Sequence, residues 1–291
     1  MSSVSKIVAE FAARPWEAIP EADLAACLKV PAMLRMGESQ LYHWLGRNVQ
    51  GDGAVIDLGA YAGGSAARLL SGLALSGRTC QLHAYDHFKS SRAVWAKWLK
   101  DEPVPDHDNA DLLPLVRRHL APWIDRVTLH PGEIANQRWT GGKIEILVVD
   151  AAKGSAIADH VAAEFYPALV PGRSVLVHQD YLMAVQPWLA AQMVALRDCF
   201  VPLAQVDSFC VAFLFVKAVD AASLEAARTN ALTDGALMKQ VREAAKWHDG
   251  MILRERFQAM LRQIKLNPGV RLGWKMRAAQ TARKAEAERS T

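Results

Sequence analysis

One stretch constrains this chain more than any other: Ala54 to Gly72, AVIDLGAYAGGSAARLLSG. A short apolar run, Ala54-Val55-Ile56, meets an acid, Asp57. A glycine turn follows, Gly59-Ala60-Tyr61-Ala62-Gly63-Gly64, and then a helix-forming run from Ser65 to Leu70. This order reads as a buried strand, a tight turn and a helix N-terminus, the opening unit of an α/β fold. The glycines let the backbone come close to a ligand. Ser65 can cap the helix, whose free N–H groups suit an anion.

A dinucleotide turn would read G-x-G-x-x-G, with the second glycine admitting a pyrophosphate. Tyr61 stands at that second position and would crowd it, and Asp57 would repel it. A ligand with an ammonium and a carboxylate but no phosphate fits better, and S-adenosylmethionine (SAM) has both. At this point the chain resembles the class I SAM-dependent methyltransferases. The string Asp57-Leu-Gly-Ala-Tyr-Ala-Gly-Gly-Ser65-Ala is similar to the glycine motif of catechol O-methyltransferase and its relatives, acid-x-Gly-Ala-Tyr-x-Gly-x-Ser. The resemblance implies a Rossmann-like methyltransferase sheet, mostly parallel with an antiparallel closing strand. It implies cofactor contacts at Asp57, Gly59, Ala60, Tyr61, Gly63 and Ser65.

The resemblance covers roughly Leu34 to Val216. We expect a helical N-terminal extension (1–50), a SAM-binding domain (51–219) and a helical C-terminal extension with a basic tail (220–291). With 291 residues, 51% of them apolar, the chain can bury a large core. The four cysteines form no C-x-x-C pair and read as buried thiols of a reducing cytoplasm. Lys6 and Glu10 interrupt the N-terminus, so no signal peptide is expected there. No uncharged apolar run approaches the ~20 residues that span a bilayer. Val270 to Thr291 carries six bases and two acids, which accounts for the whole net charge of +4. The basic balance therefore belongs to the tail, and no nucleic-acid partner is expected of the domain.

Along the chain, helices are expected at Ser3 to Ala13, Glu21 to Leu28 and Leu34 to Val49. In the resembling family such an extension covers the cofactor or builds a homodimer; packing on the sheet is the plainer alternative. Strands are expected at Thr79 to Tyr85, Val127 to His130, Ile146 to Val149 and Ser174 to Val177, with a closing pair at Leu203 to Val206 and Cys210 to Val216. Further helices are expected at Ser155 to Leu169 and Val185 to Leu196. Asp86 ends the second strand, where an acid can accept from both ribose hydroxyls. His87 beside it lies along the adenine or is a loop histidine facing solvent. Glu133, after the third strand, is a cofactor contact by resemblance. The connection from Phe88 to Arg126 is long, and its acidic loop at 101–109 reads as a lid. Helices fill the chain beyond Ala221, with the tail solvated or laid on an acidic surface.

Ligands of an open α/β sheet gather at the carboxyl ends of its strands. Asp57, Asp86, Asp150 and Gln179-Asp180 are expected at four such ends, with capping of the next helix the plainer role for Asp150. Asp150-Ala-Ala-Lys153 resembles the acid-x-x-Lys element of the catechol and caffeoyl-CoA O-methyltransferases. There the acid binds a divalent cation and the lysine accepts a proton; without a metal, Lys153 is expected to stay charged, as an ion-pair partner or substrate anchor. The resemblance implies Asp150 and Lys153 as catalytic residues, and Asp150, Gln179 and Asp180 as ligands of Mg²⁺. The family's Asp-Asn pair is here Gln179-Asp180, with the amide and the carboxylate exchanged. The expected activity is SAM-dependent O-methylation of a small hydroxylated molecule. Metal-independent O- or N-methylation, or a SAM-binding but inactive partner subunit, are the alternatives.

Overall fold

The computed structural model describes residues 3–277. The chain opens with helices α1 (Ser3–Ala12), α2 (Ala25–Leu28) and α3 (Met36–Arg47). The glycine motif then forms β1 (Ala54–Leu58), a turn and α4 (Gly64–Leu73), followed by β2 (Leu82–Asp86). The long connection holds a two-residue pair, β3 (Lys89–Ser90) and β4 (Ala110–Asp111), with α5 (Arg92–Trp98) between them and α6 (Leu113–His119) after. Next come β5 (Val127–Pro131), β6 (Ile144–Val149), α7 (Ser155–Phe165), β7 (Val175–His178) and α8 (Pro187–Ala195). The strands β8 (Phe200–Val206) and β9 (Cys210–Phe215) close the sheet. Helices α9 (Ala221–Ala226), α10 (Asp234–Trp247) and α11 (Arg254–Leu266) follow.

Seven strands form one sheet in the order β5-β2-β1-β6-β7-β9-β8. All neighbours are parallel except β9, which runs against both β7 and β8. The mostly parallel sheet with an antiparallel closing strand is therefore present. Its central strands are buried on both faces, as continuous apolar runs require. Val55 points to one core, which it shares with α3 and α4. Ile56 and Leu58 point to the other, shared with α7, α8, α10 and α11. The N-terminal and C-terminal helices thus cover opposite faces of the sheet.

Of the strand limits that differ from the sequence reading, three have a clear reason in pairing. β1 runs on through Leu58, so Asp57 lies inside the ladder, opposite Ala84 and Val148. β2 begins at Leu82 because its partner β5 begins opposite, at Val127. β8 begins at Phe200, opposite Phe215, and absorbs Pro202 with a register shift before Ala204.

Helices α3 and α4 cross at two glycines. A Cβ on Gly72 would lie 1.9 Å from the His43 carbonyl oxygen, and one on Gly46 would lie 2.2 Å from that of Leu69. No larger residue fits at either position without parting the helices. The start of the tail is not solvated. Leu272 bridges Gly154, Ser155 N–H donates to the Arg271 carbonyl, and Met276 is buried. Arg271 is held by Asp234 and by the Leu232 carbonyl. The alternating apolar residues Val270, Leu272, Trp274 and Met276 suit an extended segment, which is why it docks. The bases Arg283, Lys284 and Arg289 lie outside the described residues. Among the described residues, no helix is long and apolar enough to cross a membrane.

Candidate active site

β2, β1, β6 and β7 are adjacent, so their carboxyl ends share one rim. At this rim the glycine turn takes positive φ at Gly59 (101°), Tyr61 (46°) and Gly63 (89°). Gly59 is required: a Cβ there would lie 3.0 Å from the Asp150 carbonyl carbon. Tyr61 holds its unusual backbone because its N–H donates to Asp86 Oδ2 at 2.9 Å. Asp86 Oδ1 accepts the Phe88 N–H at 2.8 Å. Asp86 is therefore fixed on the lip of the turn, with lone pairs left for further donors.

Two clefts open above the rim. One, of about 420 Å³, is lined by Gly59, Tyr61, Asp86, His87, Glu133 and Ile134, among others. The second, of about 510 Å³, is lined by Glu38, Gln179, Asp180, Gln186 and Phe209, among others. Met33, Asp150, Lys153 and Trp274 line both, so the clefts meet at these residues. The expected residues Ala60, Gly63 and Ser65 support the turn without lining either cleft. The acidic loop at 101–109, read as a lid, lines neither.

Asp57 is the clearest departure from expectation. Being inside the strand, it is fully buried and lines neither cleft. Its Oδ2 accepts from the Ser65 hydroxyl at 2.7 Å, while Oδ1 has no partner. Burial pushes its pKa up to about 7; the Ser65 hydrogen bond works against this, and the charges of Asp150 and Asp86 add to it. Asp57 braces the turn from below.

Lys153 dominates the junction. Its Nζ donates to Asp150 Oδ1 at 2.5 Å and also to Asp180 Oδ2. Burial acts to lower the lysine pKa, but the two carboxylates outweigh it and hold the ammonium above its ordinary value. Burial pushes Asp150 up to about 6, opposed by Lys153 and assisted by Asp180. Lys153 is thus a fixed cation, and the proton-acceptor role implied by the resemblance does not suit it. Its ordinary value, ~10.4, is already too high for a base at neutral pH.

The expected Mg²⁺ ligands do not fit a metal. The ammonium sits between the two carboxylates that would bind it. The third ligand, Gln179, is buried, and its Oε1 accepts the Tyr42 hydroxyl at 2.6 Å. Asp180 Oδ2 also accepts from Gln186 Nε2 at 2.7 Å. Among the described residues, no group of three His, Cys, Asp or Glu side chains could hold a metal ion.

The first cleft has a volume in the range of small-ligand sites, and the Asp86 carboxylate stands in its wall with lone pairs left for a ligand's hydroxyls. Lys153, the cation in its wall, is outweighed by the two carboxylates paired with it, which disfavours a pyrophosphate.

Several residues of the site carry no local sequence signal. Met33 is set by the segment that crosses α4, where Pro31 and Ala32 would lie within 2.3 Å and 2.5 Å of a Cβ on Gly64. Phe209 follows the β8–β9 turn at Asp207, whose Oδ2 accepts the Glu38 N–H at the start of α3. Burial pushes Glu38 up, while the Arg35 N–H bond pulls it down. Trp274, 69% exposed, arrives on the C-terminal segment, where Gly273 N–H donates to the Lys153 carbonyl at 2.9 Å. Alternating apolar residues from Val270 to Met276 were the one hint of it. Truncation before Val270 should therefore destabilise the fold by about 2 kcal/mol, the burial of one large apolar side chain. Truncation after Arg277 should not; thermal unfolding of the two forms compares them.

No family model matches the chain, and no curated protein matches it significantly. Solved structures do. The O-methyltransferase NovP aligns over 64% of this chain and 82% of its own, at 16% identity and a TM-score of 0.50. The chain shares the fold of that protein. A methyltransferase PaMTH1 from Podospora anserina, solved with S-adenosylhomocysteine, aligns over 75% of this chain and 89% of its own, at 12% identity and a TM-score of 0.45. A Geobacter sulfurreducens methyltransferase aligns over 72% and 96%, at 18% identity and a TM-score of 0.42.

Proposed function

We propose that this chain is a SAM-dependent methyltransferase acting on a hydroxyl of a small molecule. A shared fold does not assign chemistry. The observation that carries the reading is the meeting of two clefts at Asp150 and Lys153, with Asp86 on the lip of one. One cleft suits the cofactor and the other the acceptor. When bound, SAM supplies a methyl group activated on a sulfonium. The chain's own part is mainly alignment. Asp86 would hold the ribose, and Gly59 and Tyr61 would hold the methionine portion. Glu133 and His87 flank the adenosine. Lys153 fixes the acceptor oxygen. Asp150, with its raised pKa, stands where it can take the acceptor's proton near neutrality. The Lys153 ammonium between Asp150 and Asp180 favours the metal-independent alternative.

Calorimetry with SAM, S-adenosylhomocysteine and NAD tests the cofactor. SAM and its product should bind and NAD should not; NAD binding alone would sink the reading. Asp86→Asn should weaken SAM binding by about 1–3 kcal/mol, the worth of a buried hydrogen bond. Turnover on a library of hydroxylated molecules separates an enzyme from an inactive SAM-binding subunit.

A further inference from the structure

We propose that the Lys153 ammonium is a built-in replacement for a divalent cation, and that its remaining donor anchors the acceptor oxygen. The first half stands on geometry alone, and the second rests on the proposed function. Asp150 follows β6 directly, and Asp180 comes two residues after β7. These strands are parallel neighbours in register, Val149 opposite His178. Two carboxylates are thereby held side by side at the rim, and such a pair needs a positive partner.

Lys153 supplies that partner from a pinned backbone. Its N–H donates to the Ala151 carbonyl at 2.8 Å, and its carbonyl accepts from Gly273. The C-terminal segment thus fixes the cation as well as the cleft wall. Mg²⁺ demands near-octahedral oxygen ligands and gives up water reluctantly. Here it would have to displace an ammonium from two carboxylates, beside a Gln179 Oε1 that is buried and bonded to Tyr42. An ammonium has three donors. Two are used on Asp150 and Asp180, and the Lys153 side chain is still 40% exposed where the clefts meet. The third donor can meet a hydroxyl or carbonyl oxygen of the acceptor.

The test is titration of the full chain, with S-adenosylhomocysteine present, by Mn²⁺ followed by electron paramagnetic resonance and by Mg²⁺ followed by calorimetry. The unaltered chain should show no saturable binding at millimolar metal. Lys153→Met should uncover the carboxylate pair and raise Mn²⁺ affinity by roughly tenfold or more, in the range that coordination changes produce. Lys153→Arg should remain without binding, and adding Asp180→Asn to Lys153→Met should abolish the gain. Saturable Mn²⁺ binding by the unaltered chain that Asp180→Asn removes would overturn the proposal. So would a folded Lys153→Met with no gain. Failure of S-adenosylhomocysteine to bind counts against the proposed function and the acceptor half, leaving the metal result to be read by itself.

Discussion

Replacing Arg68 by methionine should cost about 3 kcal/mol of stability, the scale of leaving buried acceptors without donors. Arg68 lies on α4, the helix that begins at the glycine turn, and is only 4% exposed. Its guanidinium donates to the carbonyls of Cys27, Val30 and Gly64 at 3.0, 2.8 and 2.9 Å, and to Ser39 Oγ at 3.3 Å. Cys27 and Val30 belong to the segment that carries Met33 over the clefts. One side chain therefore ties the N-terminal cover to the glycine helix. Methionine keeps much of the volume but leaves those carbonyls without donors, and a buried unsatisfied acceptor costs its full desolvation. Denaturant unfolding measures the loss. Where the variant stays folded, affinity for S-adenosylhomocysteine should fall as well, because the cover is released. A loss under about 1 kcal/mol would mean that water replaces the arginine.

What was legible in the sequence follows from the range of the interactions involved. The glycine turn was legible because its signal is local: Gly59 and Gly63 lie four residues apart and take the positive φ that glycine permits. The central strands were legible because a strand buried on both faces must be apolar throughout, as in Ile144–Val149. The acids at the strand ends followed from those strands. The depth of Asp57 did not, because it depends on β1 running one residue past it. The charged, ion-paired state of Lys153 was one of two readings the motif left open, and it turns on Asp150 and Asp180 both reaching its ammonium, the second across 27 positions. Met33, Phe209 and Trp274 reach the clefts from three remote segments, and no spacing rule joins them.

Asp57 should make the ligand-free protein less stable as pH rises, which reverses the habit of most carboxylates. Its folded pKa, about 7, stands above its ordinary 3.8. A group raised on folding contributes stability that is fully present below its unfolded value and is lost as pH rises through its folded value. Other groups blur the overall profile. His178 and His248, both lowered to about 3 by burial, contribute stability that is lost as pH falls. The comparison must therefore be with Asp57→Asn, which keeps the size and an acceptor for Ser65. Any cost of the new amide is the same at every pH. Between pH 4.5 and pH 8 the variant should gain about 3 kcal/mol relative to the unaltered chain. Parallel pH profiles would mean that the buried carboxylate stays ionised. Repeating the series with saturating S-adenosylhomocysteine asks what lies within reach of Asp57. An unchanged difference leaves it as a brace beneath the turn, whereas a difference that vanishes would mean that the ligand's ammonium reaches it, as the motif implied.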